Sequence, residues 1–468
     1  MDVNSAVKNQ HPNNQVFDSI DVQPQGGSKC FDDDGRLKRT GTVWTASAHI
    51  IAAVIGSGVL SLAWATAQLG WIASPIIMLL FAFVTCYTSE ILAACYLPGN
   101  YTYMDVVSAN VGGFKVKLCG LVQFVIVFGV AVSFTIASSI RMANIQRSIC
   151  FHKNGVEYQC PISSNPYMIA FGIIEIISSQ ILPSDQLGWI SIVAAVMFPC
   201  YSSIELALGI AKIAEMGEIK GSLTGISIST MTLTQKLQGC CQALGVMAFA
   251  YGFFLVFPEI QATIPQAKTM KKASLVSIAV ATLVYMFYGC IGFAVYGNTA
   301  PRNILTEFGF YEPYWLVDIA DATLVIHLIG AFQVYCQPLF ISVEKAAEKF
   351  PTSQIGIPIL GRSRYKVNLF RLVWRTVFVI VATVVSMLLP FFIDIIGLLG
   401  ALNFCLLTVY FPIEIYIKHK NIPKRSTHWV CLQILSAACL TISATAAAGS
   451  IAGFVDDLKS YKPFSSDY

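Results

Sequence analysis

Thr42-Val43-Trp44-Thr45-Ala46-Ser47-Ala48-His49-Ile50-Ile51-Ala52-Ala53-Val54-Ile55-Gly56-Ser57-Gly58-Val59-Leu60-Ser61-Leu62-Ala63-Trp64, running on to Trp71, decides the fold of this chain. The stretch is long and apolar enough to cross a bilayer, which takes about 20 residues. Its centre, Gly56-Ser57-Gly58, is a poor helix, because glycine costs about 1 kcal/mol against alanine in a helix interior. A helix broken at bilayer depth is tolerated only where it faces protein or a water-filled cavity. There the freed N–H groups and the N-terminus of the second half-helix are able to hold an anion such as a carboxylate. Close helix packing is the competing reading, since small residues also bring membrane helices together.

Composition puts this stretch in context. The chain has 468 residues, 55% hydrophobic and 12% charged. A soluble domain carries about 25% charged residues, so half that over this length means a polytopic membrane protein embedded in the lipid bilayer. The net charge of +4 gives no basis for binding nucleic acid. The sequence holds no phosphate loop, HExxH, nucleophile elbow or CxxC, so neither enzymatic chemistry nor a cofactor is expected. Most of the 14 cysteines stand singly in apolar runs, where cysteine acts as a small hydrophobe.

Residues 1–40 are polar and end on Arg36, Lys38 and Arg39. They read as a disordered cytoplasmic tail with no cleaved leader. Eleven apolar spans follow, at roughly 43–70, 74–97, 118–141, 167–183, 187–211, 238–264, 273–296, 314–345, 370–389, 391–416 and 428–454. The membrane-embedded body thus covers 41–455, with a short tail at 456–468. With the N-terminus in the cytoplasm, 21 of the 30 Lys and Arg residues fall on the inner side, as the positive-inside rule requires. The C-terminal tail then lies outside. So does the loop bearing Cys150 and Cys160, where an oxidising compartment favours a disulfide between them. The Asn100-Tyr101-Thr102 sequon falls inside and is expected to be unmodified.

The sixth span is interrupted like the first. Phe249-Ala250-Tyr251-Gly252 and then Pro258-Glu259 break its middle, and proline in a helix interior costs about 3 kcal/mol or more. Five spans separate the starts of the two broken helices, an odd number, so the second set enters the membrane upside down. Paired interrupted helices in two inverted halves point to a transport site. The fold expected is therefore an all-α polytopic membrane protein of eleven helices, a five-plus-five inverted repeat and one more.

Ionisable groups inside a membrane are costly, about 2.5–3.5 kcal/mol each on insertion scales. His49, two turns before Gly56, is a candidate proton carrier or a neutral hydrogen-bond partner. Asp318 and Asp321 share one face of the eighth span. Glu259 follows Pro258 in the inner half of the sixth, and is a coupling carboxylate or a vestibule group. Asp394 opens the tenth span and is a candidate outer gate. Glu175 and Glu205 are buried by position.

The first-span run from Thr42 to Ala65 resembles the first helix of plant amino acid permeases of the amino acid/auxin permease superfamily. Cys150-Phe151-His152-Lys153-Asn154-Gly155, His327-Leu328-Ile329-Gly330-Ala331 with Cys336-Gln337-Pro338, Phe370-Arg371-Leu372-Val373-Trp374-Arg375-Thr376 and Thr408-Val409-Tyr410-Phe411-Pro412-Ile413-Glu414 carry the same likeness. The resemblance implies a LeuT-like fold and uptake of free neutral or acidic amino acids across the plasma membrane, with the proton as coupling ion. It implies substrate contacts at Ile55, Gly56, Ser57 and Gly58 and at Phe249, Ala250, Tyr251 and Gly252, and places His49 at the family histidine before the break. The chain departs from the pattern at Val246, Ile393 and Cys405-Leu406. Val246, standing where an acid is common, keeps a rival in view, an amino acid sensor with little transport. An auxin-type carrier of the same superfamily is the other rival.

Overall fold

The computed structural model describes residues 39, 41–97, 99–154, 162–181, 187–226, 232–264, 266–301, 313–347, 354–358 and 364–461. The chain divides into two units, residues 1–39 and 40–468, and the helical architecture lies in the second. Eight of the described helical stretches are long and apolar enough to cross a membrane.

The first helix, α1 (Val43–Val54), starts at a capping box in which the Thr42 and Thr45 side chains satisfy each other's backbone N–H groups. After the break comes a short 3-10 turn, Ser57–Ser61, and then α2 (Leu62–Ala94). Gly70 interrupts α2 with φ 83° and ψ 178°, a conformation that glycine adopts without a Cβ penalty. The first and second expected spans meet at this point. The turn is latched by the segment after α6, through Trp71 N–H to Ser222 O and Ile72 N–H to Leu223 O, both at 3.3 Å.

Next come the short α3 (Tyr103–Asn110), the 41-residue α4 (Phe114–Asn154), α5 (Asn165–Ile181) and α6 (Leu187–Met216). The junction expected at Ser184-Asp185-Gln186 lies outside the described residues. The broken sixth span is α7 (Leu233–Ala250) and the single turn and a half of α8 (Phe257–Ala262). Then follow α9 (Ala267–Tyr296) and α10 (Tyr314–Ala347). Strands β1 (Gln354–Pro358) and β2 (Arg364–Asn368) form an antiparallel hairpin, with Gln354 opposite Asn368. The sequence reading gave this connection no strands. The ninth span is α11 (Leu369–Leu388), and Pro390 separates it from α12 (Phe392–Leu402). An eight-residue π-helical segment, Asn403–Tyr410, joins α12 to α13 (Phe411–His419), and α14 (Thr427–Ser460) ends the bundle.

Side-chain periodicity shows which way each helix faces. On α11, Val373, Val377, Ile380, Val381 and Val384 are exposed, whereas Arg375, Phe378, Val379, Ala382, Thr383 and Ser386 are buried. The apolar stripe faces lipid and the mixed face turns inward, the pattern of a membrane bundle. The buried Arg375 reaches Glu344 of α10 at 2.6 Å and the Ser179 carbonyl of α5 at 2.6 Å, which pins three helices together. On the other side of the bundle α7 and α12 touch backbone to backbone. A Cβ on Gly245 would meet the Gly397 carbonyl, and one on Gly400 would meet the Gly245 carbonyl. These two broken or distorted helices thus pack as close as the backbone allows.

Candidate functional site

The two breaks come together. In α1 the Ile55 N–H still reaches the Ile51 carbonyl at 2.9 Å. Gly56 then runs extended, with φ −125° and ψ −150°, and the 3-10 turn begins at Ser57. The first N–H groups of a helical turn have no intrahelical acceptor. They sit at the positive end of the second half-helix. Opposite them, α7 ends at Ala250, Tyr251 adopts φ −94° and ψ 11°, and the Gly252 N–H turns back to the Phe249 carbonyl at 3.0 Å. The chain then crosses 253–256 before α8 restarts with Pro258 in its first turn. Ends of α7 and α1 therefore present carbonyls, and the start of the 3-10 turn presents N–H groups, to the same space.

Two tyrosines hold this arrangement. The Tyr285 hydroxyl on α9 lies 2.8 Å from the Val54 carbonyl and 2.6 Å from the Ala250 carbonyl. The Tyr335 hydroxyl on α10 lies 2.8 Å from the Ala53 carbonyl and 3.0 Å from the Gly252 carbonyl. Each hydroxyl has a single hydrogen to donate, so each alternates between one carbonyl of the first break and one of the second. Both side chains are buried. Tyr335→Phe removes one such donor and strands a buried carbonyl, which costs about 1–3 kcal/mol. Amino acid affinity is expected to weaken by about tenfold, each 1.4 kcal/mol being a factor of ten. Titration of labelled substrate binding to purified Tyr335→Phe checks this, and unchanged affinity would remove the clamp from the site.

The shared space is a cavity of about 20 Å³, enough for a water and too small for an amino acid. The site as it stands therefore has no room for a substrate. Gly56, Gly58, Phe249, Ala250 and Gly252 line it, as do Phe134 of α4, Tyr335 and Asn403. A Cβ on Gly58 would stand 2.9 Å from the Phe249 ring, while the nearest atom to one on Gly56 is Phe134 at 4.0 Å. Asn403 opens the π segment, and its buried Oδ1 has no hydrogen-bond partner among the described residues. A buried polar atom of this kind, on a residue lining an apolar cavity, has an unused acceptor to offer.

The structure sorts the sequence candidates. Gly56, Gly58, Phe249, Ala250 and Gly252 converge on the cavity. Ile55 is fully buried and Ser57 contributes backbone to the break. Tyr251 turns its side chain away, with its hydroxyl 3.0 Å from the Met78 carbonyl and 3.2 Å from Thr282, so only its backbone belongs to the break. His49 is half-buried on α1, and Glu259 is half-buried in the first turn of α8. Asp318 accepts from the Ser148 hydroxyl at 3.3 Å. Asp321 is fully buried and pairs with the equally buried Arg141 at 3.3 Å. Asp394 is buried and accepts from Gln242 of α7 at 2.6 Å, linking α12 to the broken helix. Cys150 lies near the end of α4, while Cys160 lies outside the described residues.

Sequence reasoning missed Tyr285, Tyr335, Asn403 and Arg141. Arg141 closes the 118–141 span, where a basic residue reads as the end of the span, and the structure instead buries it against Asp321.

Comparison with known proteins agrees with the fold and narrows the family. Residues 39–455 match the family described as transmembrane amino acid transporter protein. Amino acid permease 3 of Arabidopsis thaliana is 60% identical, with 97% of this chain and 99% of that protein aligned. Amino acid permease 2 of the same plant is 58% identical over 97% of this chain and 96% of its own length. Among solved structures, MhsT in complex with L-phenylalanine superposes with a TM-score of 0.62 at 10% identity, covering 88% of this chain and 99% of that one. The shared architecture is the LeuT-like fold. The chain belongs to the transmembrane amino acid transporter family, and is a multi-pass membrane carrier of amino acids rather than an enzyme.

Proposed function

We propose that this protein is a proton-coupled symporter that imports free neutral and acidic amino acids across the plasma membrane by alternating access. The observation that carries the reading is the narrow cavity between two half-unwound helices, with N–H groups on one wall and backbone carbonyls and the Asn403 Oδ1 on the other. A zwitterion suits those walls. The substrate carboxylate meets the N–H groups at Gly56, Ser57 and Gly58, and the ammonium meets carbonyls of the second break and the Asn403 Oδ1. The side chain lies against Phe249 and Phe134. MhsT, solved in complex with L-phenylalanine, has the same fold, which supports an amino acid as the ligand.

Protons enter the reading through the ionisable groups. Asp318 and Asp321 lie toward the outer end of α10, and His49 and Glu259 lie on the inner halves of the two broken spans. A proton that enters past the outer set and leaves toward the inner set accompanies the substrate. Asp394, tied to Gln242, joins α12 to α7 and acts in the gate. The N-terminus lies in the cytoplasm and the C-terminus outside, following the bias of basic residues. Cys150 and Cys160 then face the oxidising side and form a disulfide. Peptide mapping of unreduced protein is expected to recover them as one linked pair, and recovery of both as free thiols would remove that pairing and weaken the orientation.

Proteoliposomes with an inward proton gradient and labelled amino acids test the whole reading. Accumulation above equilibrium that collapses with a protonophore is expected. Binding without accumulation would favour a sensor, and uptake of an indole acid in place of amino acids would favour an auxin-type carrier.

A further inference from the structure

Away from the cavity lies a second polar centre, sealed among α4, α6, α9 and α10. Arg141 of α4 and Asp321 of α10 form its ion pair, with side chains 0% and 1% exposed. Asn144 of α4 also supports the Asp321 carboxylate. A second carboxyl, Glu205 of α6, is 3% exposed and faces the same Arg141 and Asp321. The Tyr288 hydroxyl of α9 and Tyr201 of α6 face it too. The neutral Tyr288 hydroxyl is the hydrogen-bonding neighbour of the Glu205 carboxyl, at a geometry looser than a closed bond, and no cation is bonded to either Glu205 oxygen among the described residues.

The centre connects both ways. Outward, Asp318 stands one helical turn from Asp321 and bonds Ser148 at 3.3 Å. Inward, the Tyr201 ring packs against His327 with centroids 5.6 Å apart. The His327 Nδ1 lies 2.8 Å from the Ala194 carbonyl of α6, and the Ile55 carbonyl at the first break is the ring's other backbone neighbour. Polar groups therefore run from the outer end of α10 to the break in α1.

Charge accounting decides the state of the centre. One guanidinium balances one carboxylate, and a second bare carboxylate in a dry interior has nothing to balance it. Asp321 has the Arg141 guanidinium bonded to it and Asn144 beside it, whereas Glu205 has only the neutral Tyr288 hydroxyl, so the extra proton resides on Glu205. We propose that Glu205 is the proton-carrying carboxyl of this transporter. This rests on the proton-coupled reading above. From the outer side, water near Asp318 delivers a proton, a new O–H bond forms on the Glu205 carboxylate, and the group becomes neutral. In the inward state that O–H bond breaks to water and the carboxylate returns. The charged form competes with Asp321 for Arg141. Proton loss thus shifts α6, which also packs against α1, relative to the α4–α10 pair. No other described group in this centre offers an unpaired carboxyl to the proton.

Full-length protein in proteoliposomes carrying an internal pH dye tests this. Wild type is expected to acidify the lumen when an amino acid is added outside. Glu205→Gln keeps shape and hydrogen bonding but holds no exchangeable acid proton. It is expected to lower the proton-to-amino-acid flux ratio at least tenfold while labelled amino acid still exchanges across the membrane. Coupled acidification that persists in Glu205→Gln overturns the assignment and leaves proton coupling intact. A wild-type protein that moves amino acid with no acidification overturns the proton-coupled reading itself, and the assignment with it. Glu205→Asp guards against a Gln variant that fails to fold. A shorter acid sits farther from Arg141, so its uptake–pH profile is expected to shift along the pH axis. A profile superimposable on wild type overturns the assignment.

Discussion

Gly58→Val is expected to abolish amino acid uptake while the protein still reaches the membrane. A Cβ at this position would already stand 2.9 Å from the Phe249 ring, and valine adds two methyl groups. Overpacking of this kind costs about 1–3 kcal/mol, and here the strain falls on the two segments that must separate to admit a ligand. At about 1.4 kcal/mol per factor of ten, uptake at low substrate is expected to fall by about a hundredfold. Gly56→Ala is the internal comparison. Its new methyl meets nothing closer than Phe134 at 4.0 Å, and its extended backbone suits any residue, so the loss there is expected to be much smaller. Initial-rate uptake normalised to surface-labelled protein measures both. Equal losses in the two variants would show that bulk at the break, rather than the contact with Phe249, controls the site.

Arg141→Met is the second large effect, and it acts on stability. Removing one member of a buried ion pair leaves the other charge without compensation, at a cost of about 3–5 kcal/mol. Asp321, sealed at 1% exposure, has no water to turn to. The variant is expected to unfold well below wild type in a thermal scan in detergent, and to accumulate poorly. Adding Asp321→Leu removes the stranded charge. The double variant is expected to regain most of the lost stability, because replacing a whole buried pair by apolar groups is often neutral. A double variant no more stable than Arg141→Met would show that Arg141 works chiefly through Asn144 or Glu205.

Some of this architecture was plain in the residues. Gly56-Ser57-Gly58 is legible because glycine in a membrane helix has a cost that needs a reason, and Gly252 with Pro258 repeats that cost at the inverted position. Lipid-facing stripes such as Val373, Val377 and Val381 follow from helical periodicity alone. Tyr285 and Tyr335 were not legible, since tyrosine in an apolar run reads as packing until the carbonyls it meets are known. Tyr251 went the other way. It sits in the break, but the terminal turn of α7 aims its ring at α2 and α9, a direction set by backbone angles that the sequence does not display. The break at Gly70 was legible as the junction of the first two spans, but not what holds its turn, the segment at 222–226, more than 150 residues away.

The π-helical segment Asn403–Tyr410 has a consequence at the level of the gene. A widened turn of this kind stores an extra residue inside an otherwise α-helical path. Each residue of an α-helix turns the chain by about 100°, so losing one codon within α11 or α14 would swing every downstream side chain to a different face. Loss of one codon within 403–410 is absorbed where it occurs, by relaxation to an ordinary helix, and Glu414 keeps its 2.5 Å pair with Lys115 on α4. Within this span a lineage is free to lose a residue without renegotiating the helical contacts beyond it, and the change would be read directly at Asn403 in the cavity wall.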